Sequence, residues 1–219
     1  MNTLHAAPVS GLLDRLFADS VVNDAPIMER LRHVRGSGPL DDRLLAGHFS
    51  SAYIPVDRHT GRLLYVLAKA NRSRFVVEFG TSFGISTIHL AAAVRDNGGG
   101  RVTTSELVPE KVRRAKAHLT EAGLVDLVEF REGDALQTLA DIGEPIDMLF
   151  LDGWKALYLP VLKLLEGTLR PGAIIVADDL NIMPEMIRPY LDYVRDPAHG
   201  YDSVELPVGD GLELSVRSF

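Results

Sequence analysis

The residues best equipped for chemistry lie in two short stretches. Asp152-Gly153-Trp154-Lys155 sets a carboxylate, an indole and an amine directly after the apolar run Leu149-Phe150-Leu151, and Asp178-Asp179 sets two more carboxylates after Ala173–Ala177. Both runs read as buried strands. Neighbouring parallel strands lie about 5 Å apart, so the three acids are able to converge on one hard cation held by oxygen ligands. The competing expectation is that each acid caps the helix after its strand. Lys155 is either a solvated lysine at a helix start or a general base. Burial and a nearby cation lower an amine pKa from about 10.4 toward neutrality, which is what the second role requires.

A third stretch, Phe75–Ser86, runs through apolar strand residues to the acidic Glu78 and then turns through Gly80 and Gly84 into a helical segment. Such a junction presents free backbone N–H groups at the carboxyl end of a sheet. Ser82 stands where the G-x-G-x-x-G dinucleotide fingerprint has its middle glycine, so a ligand without phosphates suits the turn better than a pyrophosphate. That substitution, and the lack of an evident Tyr-x-x-x-Lys pair, weigh against a nicotinamide-dependent oxidoreductase. Glu106 ends the second strand, where a carboxylate either accepts hydrogen bonds from both ribose hydroxyls or is merely solvated. Asp134, within Gly133-Asp134-Ala135, either meets an adenine edge or caps the next helix. No two histidines have zinc-site spacing. His89 sits in a helical segment, while His48, His59 and His199 could line a substrate mouth.

The elements that must position these groups alternate strand and helix. Strands are expected at Phe75–Phe79, Arg101–Glu106, Leu127–Arg131, Ile146–Leu151 and Ala173–Ala177. The helices between and after them run to Val94, from Pro109 to Ala122, near Ala135–Ala140, near Leu157–Thr168 and over Pro184–Val194. This succession predicts an α/β fold with a parallel sheet covered on both faces. Asp202–Leu206 and Leu212–Arg217 flank a glycine-containing connection, so the last strand should run antiparallel to its neighbour. Ahead of the sheet, residues 1–50 read as a helical cap of short amphipathic helices. Leu12, Leu13, Leu16 and Phe17 form one face, and Ile27, Leu31 and Val34 another. Gly36-Ser37-Gly38-Pro39 interrupts the cap and Leu44-Leu45 resumes it. Asp57 is placed to cap the next helix.

A chain of 219 residues, 46% hydrophobic and 24% charged, is expected to form a single domain, residues 1–219, with one full core. A net charge of −7 and a pI near 5.5 disfavour nucleic acid and anionic membrane as partners. With no cysteine there is no thiolate nucleophile or metal ligand. No signal-like start or membrane-length apolar run appears, so a cytoplasmic location is expected. The apolar faces of the cap are able either to pair two copies as a homodimer or to pack on the sheet.

At these motifs the sequence resembles the class I S-adenosylmethionine-dependent methyltransferases, most closely the metal-dependent catechol O-methyltransferase family. The resemblance is carried by Glu78-Phe79-Gly80-Thr81-Ser82-Phe83-Gly84-Ile85-Ser86, most strongly by Asp152-Gly153-Trp154-Lys155-Ala156-Leu157-Tyr158-Leu159-Pro160, and by Leu164-Leu165-Glu166 and Leu169-Arg170-x-Gly172 behind it. It extends from about Ile54 to Asp179. It implies a Rossmann-like, seven-stranded, mostly parallel sheet with an antiparallel C-terminal strand. It also implies transfer of a methyl group to a hydroxyl of a small catechol-like or other vicinal-diol acceptor.

Carried over residue by residue, the resemblance implies that Ile54 and Val56 line the cofactor, S-adenosyl-L-methionine. Ser86 would hold its carboxylate, and Gly80 would pass close to its methionine portion on a loop that Glu78 supports and Thr81, Ser82 and Gly84 complete. Glu106 would bind the ribose hydroxyls, and Leu107 would also be a cofactor-binding residue. Gly133, Asp134, Ala135 and Trp154 would surround the adenine, with Asp152 bordering the cofactor. Asp152, Asp178 and Asp179 would ligate magnesium or another divalent cation, and Lys155 would be the general base. The family has Asn where this chain has Asp179, which adds a carboxylate to the ligand set. A metal-independent methyltransferase acting on a polyketide, sugar or amine, and a cofactor-binding regulatory module, are the other readings.

Overall fold

Strand β1 (Phe75–Phe79) is buried along its whole length, as a strand with neighbours on both edges and helices on both faces must be. The computed structural model describes residues 2–34, 47 and 49–219, with only the backbone for residues 30–34. β1 pairs in parallel with β2 (Arg101–Glu106) and β4 (Ile146–Leu151). β3 (Val128–Glu132) joins β2, and β5 (Leu169–Ala177) joins β4, again in parallel. The seven-stranded sheet has the order β3-β2-β1-β4-β5-β7-β6. β7 (Leu212–Arg217) is antiparallel to both β5 and β6 (Tyr201–Leu206). The expected antiparallel last strand is therefore present, inserted between β5 and β6 so that β6 forms the edge.

Alternation along the strands sends Val76, Val102, Met148, Phe150 and Val176 into one core and Val77, Phe79, Leu149, Leu151 and Ile175 into the other. The first core is closed by helices α1 (Ala7–Val34), α2 (Arg58–Ala70), α3 (Ile85–Asp96) and α4 (Pro109–Glu121). The second is closed by α5 (Ala135–Thr138), α6 (Tyr158–Leu165) and α7 (Pro184–Val194). The strand that the sequence places at Ala173–Ala177 begins earlier, at Leu169. An irregularity opposite Ile146–Met148 lets it carry Pro171 and Gly172, which regular ladder pairing excludes.

The cap departs from its expected form. A single 28-residue helix replaces the short ones and continues through Pro26. Leu12, Leu13, Leu16 and Phe17 are buried against the sheet's helices, and Ile27 packs near Ala52 and Phe49. The side chains of Leu31 and Val34, the Gly36–Pro39 interruption, Leu44-Leu45 and His48 lie outside the described residues. Among the described residues no helix is long and apolar enough to cross a membrane. Asp57 caps α2 as expected, accepting from the N–H groups of His59 and Thr60.

Candidate active site

The sheet brings three segments together at its carboxyl edge. Phe79 is level with Leu151, and Leu151 with Ala177, so Gly80, Asp152 and Asp178 all begin one step beyond the ladder. A last rung holds them there. Asp152 N–H donates to the Phe79 carbonyl at 2.8 Å, Asp178 N–H to the Leu151 carbonyl at 3.0 Å, and Gly80 N–H to the Ser105 carbonyl at 3.1 Å. A Cβ on Gly80 would collide with the Asp152 carbonyl, and its φ is +106°. Glycine is required there for both reasons.

A cavity of about 430 Å³ opens above this edge, within the range of small-molecule sites. Its wall includes Ile54, Gly80, Ser82, Glu106, Leu107, Gly133, Asp134, Ala135, Asp152, Trp154, Lys155 and Asp179. Glu106 is fixed by two backbone donors, Ser82 N–H and Val108 N–H, both at 2.9 Å. A carboxylate so held keeps lone pairs for hydroxyl donors in the cavity. Asp134 caps α5 through Leu136 N–H at 2.9 Å and also lines the cavity. Val56, Thr81 and Ser86 border a small adjoining recess with Tyr53 and Asp152. Gly84 stands apart: with φ +85° it starts α3, and a Cβ there would press on Leu119 and Ala115.

Glu78 sits beneath this wall, wholly buried, with Oε2 accepting from Thr87 at 2.5 Å and Thr104 at 2.6 Å. Among the described residues its Oε1 has no hydrogen-bond partner. Burial lifts this carboxyl to about 7, against the pull of neighbouring hydroxyls. The folded chain thus holds this proton more tightly than the unfolded chain does. The associated stability is complete below the ordinary carboxylate range and is lost as pH rises through about 7. Glu78→Gln is expected to gain on the ligand-free wild type between pH ~4.5 and 7, by up to ~3 kcal/mol. Urea unfolding at a series of pH values measures this, and a difference that does not change with pH contradicts it.

Lys155 and the strand-end acids Asp152 and Asp179 form a second cluster along the wall. Lys155 is buried, with Nζ donating to Tyr158 Oη at 2.7 Å and to Asp179 Oδ2 at 2.9 Å, and lying 3.9 Å from Asp152 Oδ1. Tyr158, itself buried in the second core, donates onward to the Asp178 carbonyl at 3.1 Å. Asp179 takes a left-handed conformation, φ +63°, uncommon for a side chain with a Cβ. Burial raises the Asp152 carboxyl well above its ordinary range, and Asp178 and Asp179 raise it further while Lys155 opposes them. Asp178 is raised by burial and by Asp179.

This donor set, three carboxylates without sulfur or imidazole, has the chemistry of a hard-cation site. A dication would relieve a charge conflict that Lys155 only partly relieves. The arrangement itself is less complete: among the described residues no three His, Asp or Glu side chains are grouped to hold an ion, and it is Lys155 that lies against Asp179.

Other residues near the site divide clearly. Met183 and Met186 line the cavity, joined by Ile182, Leu157, Phe49 and Met28. Asn181 instead lies against Gly211. His199 stacks on Tyr193 with ring centroids 3.9 Å apart, and His59, whose N–H is taken by the α2 cap, is exposed. Neither histidine lines the cavity. His89 is a buried core residue bonded to the Ile85 carbonyl.

The sequence reading assigns the cap no chemistry, yet Asp24 of α1 accepts from Tyr53 N–H and Ile54 N–H, each at 2.8 Å. It thereby fixes the Tyr53–Ile54 segment, which borders the cavity and accepts Ser82 Oγ–H at the Tyr53 carbonyl. Asp24→Ala is expected to cost about 2–3 kcal/mol, because a buried and a part-buried N–H group lose a charged acceptor. Thermal unfolding tests this, and an unchanged melting temperature contradicts it.

A family model described as a methyltransferase domain matches residues 77–180. The chain is 35% identical over 149 residues to a catechol O-methyltransferase of Niastella koreensis, covering 64% of this chain and 66% of that protein. It is 38% identical over 177 residues to a putative O-methyltransferase of Mycobacterium sp. (strain JLS), covering 72% and 76% respectively. In three dimensions it is similar to the O-methyltransferase of Bacillus cereus crystallised with SAH, with a TM-score of 0.71 and 25% identity over 82% of this chain and 92% of the other. The chain spans 57–66% of the length of four catechol O-methyltransferases that it matches.

Proposed function

The chain belongs to the class I S-adenosylmethionine-dependent O-methyltransferases, and on that premise we propose that it methylates a hydroxyl of a small catechol-like or other vicinal-diol acceptor, with a divalent cation held by Asp152, Asp178 and Asp179. The observation that carries this reading is the buried Lys155 Nζ, pinned by Tyr158 and Asp179 in a cavity that also contains Glu106 and Gly80.

Bound S-adenosylmethionine supplies a methyl group activated by positive sulfur. The bound cation supplies Lewis acidity that eases ionisation of a hydroxyl. The chain's own residues do the rest. Glu106 accepts from the ribose hydroxyls, Asp134, Ala135 and Trp154 enclose the adenine, and Ser86 binds the methionine carboxylate. Gly80 allows the close backbone approach that the methionine portion needs. Lys155, as the neutral amine, receives the acceptor's proton at Nζ, which leaves an anionic oxygen as nucleophile. Phe49, Trp154, Ile182, Met183 and Met186 form an apolar wall that orients a flat ring and keeps water from the anion.

Methyl transfer from S-adenosylmethionine, followed by mass spectrometry across vicinal diols and monohydroxy controls with and without magnesium, tests the proposal. Methylated diol in the presence of magnesium is the expected result, and no methylated product from any acceptor overturns the enzymatic reading. The contact between Lys155 and Asp179 favours a second reading, methyl transfer without metal. Turnover that is indifferent to magnesium and to chelator selects it.

A further inference from the structure

Lys111 is a buried ammonium that neither the catalytic cluster nor the core accounts for. It lies in the first turn of α4, just after Pro109, is 6% exposed, and lines the same cavity as Glu106, Ser82, Leu107 and Val108. Its hydrogen bond is a long one, Nζ to Ser82 Oγ at 3.2 Å, and Nζ lies 5.8 Å from the centre of the Phe83 ring. None of its ion pairs with a described carboxylate comes within 4 Å. Burial draws its proton affinity down, while Glu106, Asp24 and Asp152 restore part of it from a distance.

Each feature of this placement is unfavourable for an empty protein. A desolvated ammonium with one neutral partner is costly. The N-terminal end of a helix carries positive partial charge and prefers an acid there. An ammonium has three donors, of which Ser82 uses one. The neighbouring Glu106 offers the complementary chemistry, acceptors only, and is anchored to the same Ser82 through its backbone N–H. A donor and an acceptor converging on one cavity wall suit a ligand that both donates and accepts within a small span, as a vicinal diol does.

We propose that Lys111 and Glu106 together clamp the ribose of the cofactor, Glu106 accepting from its hydroxyls and Lys111 donating to a ribose oxygen, which makes Lys111 a cofactor-binding residue. The assignment rests on the S-adenosylmethionine reading of the cavity. The binding energy of the nucleoside then depends on a residue that weakens the ligand-free fold.

Calorimetric titration of S-adenosylhomocysteine and of 5′-methylthioadenosine into wild type and Lys111→Met separates the outcomes. Methionine fills a similar volume without charge. Both ligands are expected to lose about 10- to 100-fold in affinity, the range for a hydrogen bond to a charged group, while the ligand-free variant melts at or above the wild-type temperature. Unchanged affinities overturn the proposal, as does a loss limited to S-adenosylhomocysteine, which would put the contact at the amino-acid end. Weakened binding with a lower ligand-free melting temperature overturns it too, by making Lys111 structural. A wild-type protein that binds neither ligand overturns the cofactor reading itself, whereas tight wild-type binding with an indifferent variant removes only the role of Lys111.

Discussion

Replacing Lys155 with methionine is expected to slow methyl transfer by about 10²- to 10⁴-fold, the usual range for a positioned general base, while S-adenosylhomocysteine still binds. The separation follows from where Lys155 stands. Its Nζ contacts Tyr158 and Asp179, whereas the nucleoside is proposed to meet Glu106 and Asp134, which stand on other segments of the cavity wall. Methionine keeps most of the buried aliphatic length, so the packing around Tyr158 survives and the missing function is the proton acceptor. Removing the ammonium also leaves Asp152 and Asp179 without the cation that opposes their repulsion. A modest loss of thermal stability is therefore expected beside the kinetic effect. Single-turnover rates measured with saturating cofactor decide the point. A variant that turns over within a few-fold of wild type would show that Lys155 is a structural counter-ion to the acids.

Removal of divalent cations is the second large effect. Exhaustive chelation is expected to lower turnover of a vicinal diol by about 10³-fold, in keeping with several kcal/mol of charge stabilisation, and magnesium or manganese should restore it. Asp178→Asn should respond weakly to the added cation, and because Asp178 does not line the cavity wall, its cofactor affinity should be preserved. The electrostatics set the direction. Burial raises both Asp152 and Asp178, with Asp178 and Asp179 raising Asp152 further and Asp179 raising Asp178, so a dication binds a cluster that otherwise holds excess negative charge. Binding to the folded chain alone stabilises it by mass action, and magnesium should therefore raise the melting temperature of the protein without any substrate. Equal turnover in chelator and in magnesium, with no shift in melting, would leave Lys155 as the cluster's sole cation and favour the metal-independent reading.

Much of this site is legible in the primary structure because its chemistry sits at punctuation points. Asp152 and Asp178 follow continuous apolar runs that could only be buried strands, and Gly80 and Glu106 end the two strands beside them. Strand period and helix breakers are local signals, so the order of elements and the residues at their ends follow from short windows of sequence. Gly84 shows the limit of that reasoning. It belongs to the same glycine-rich turn as Gly80, yet faces Leu119 and Ala115 across the α3–α4 contact, and no local signal separates the two roles.

The residues that escaped the sequence reading act across long separations. Asp24 is one acid among several on an exposed-looking helix until the fold brings Tyr53 and Ile54 to it, and the cap's single long helix is stabilised by burial against α3 and α4 rather than by local pattern. Lys111 carried one faint signal, a cation in a helix's first turn where an acid is favoured. Its burial in the cavity depends on how α4 meets the β2 end and on Ser82 reaching over it.

By itself the sequence determined the α/β succession, the antiparallel last strand and the identity of the acids, amine and glycines at the strand ends, since period, turn chemistry and residue type are written locally. Tertiary structure alone decided which of those groups touch. It set Lys155 against Asp179, left the three acids short of a closed ligand set among the described residues, brought Asp24 to the Tyr53 and Ile54 N–H groups and placed Lys111 in the cavity wall. Distances of a few ångströms between residues far apart in the chain are fixed by helix packing and sheet register, and no window of sequence contains them.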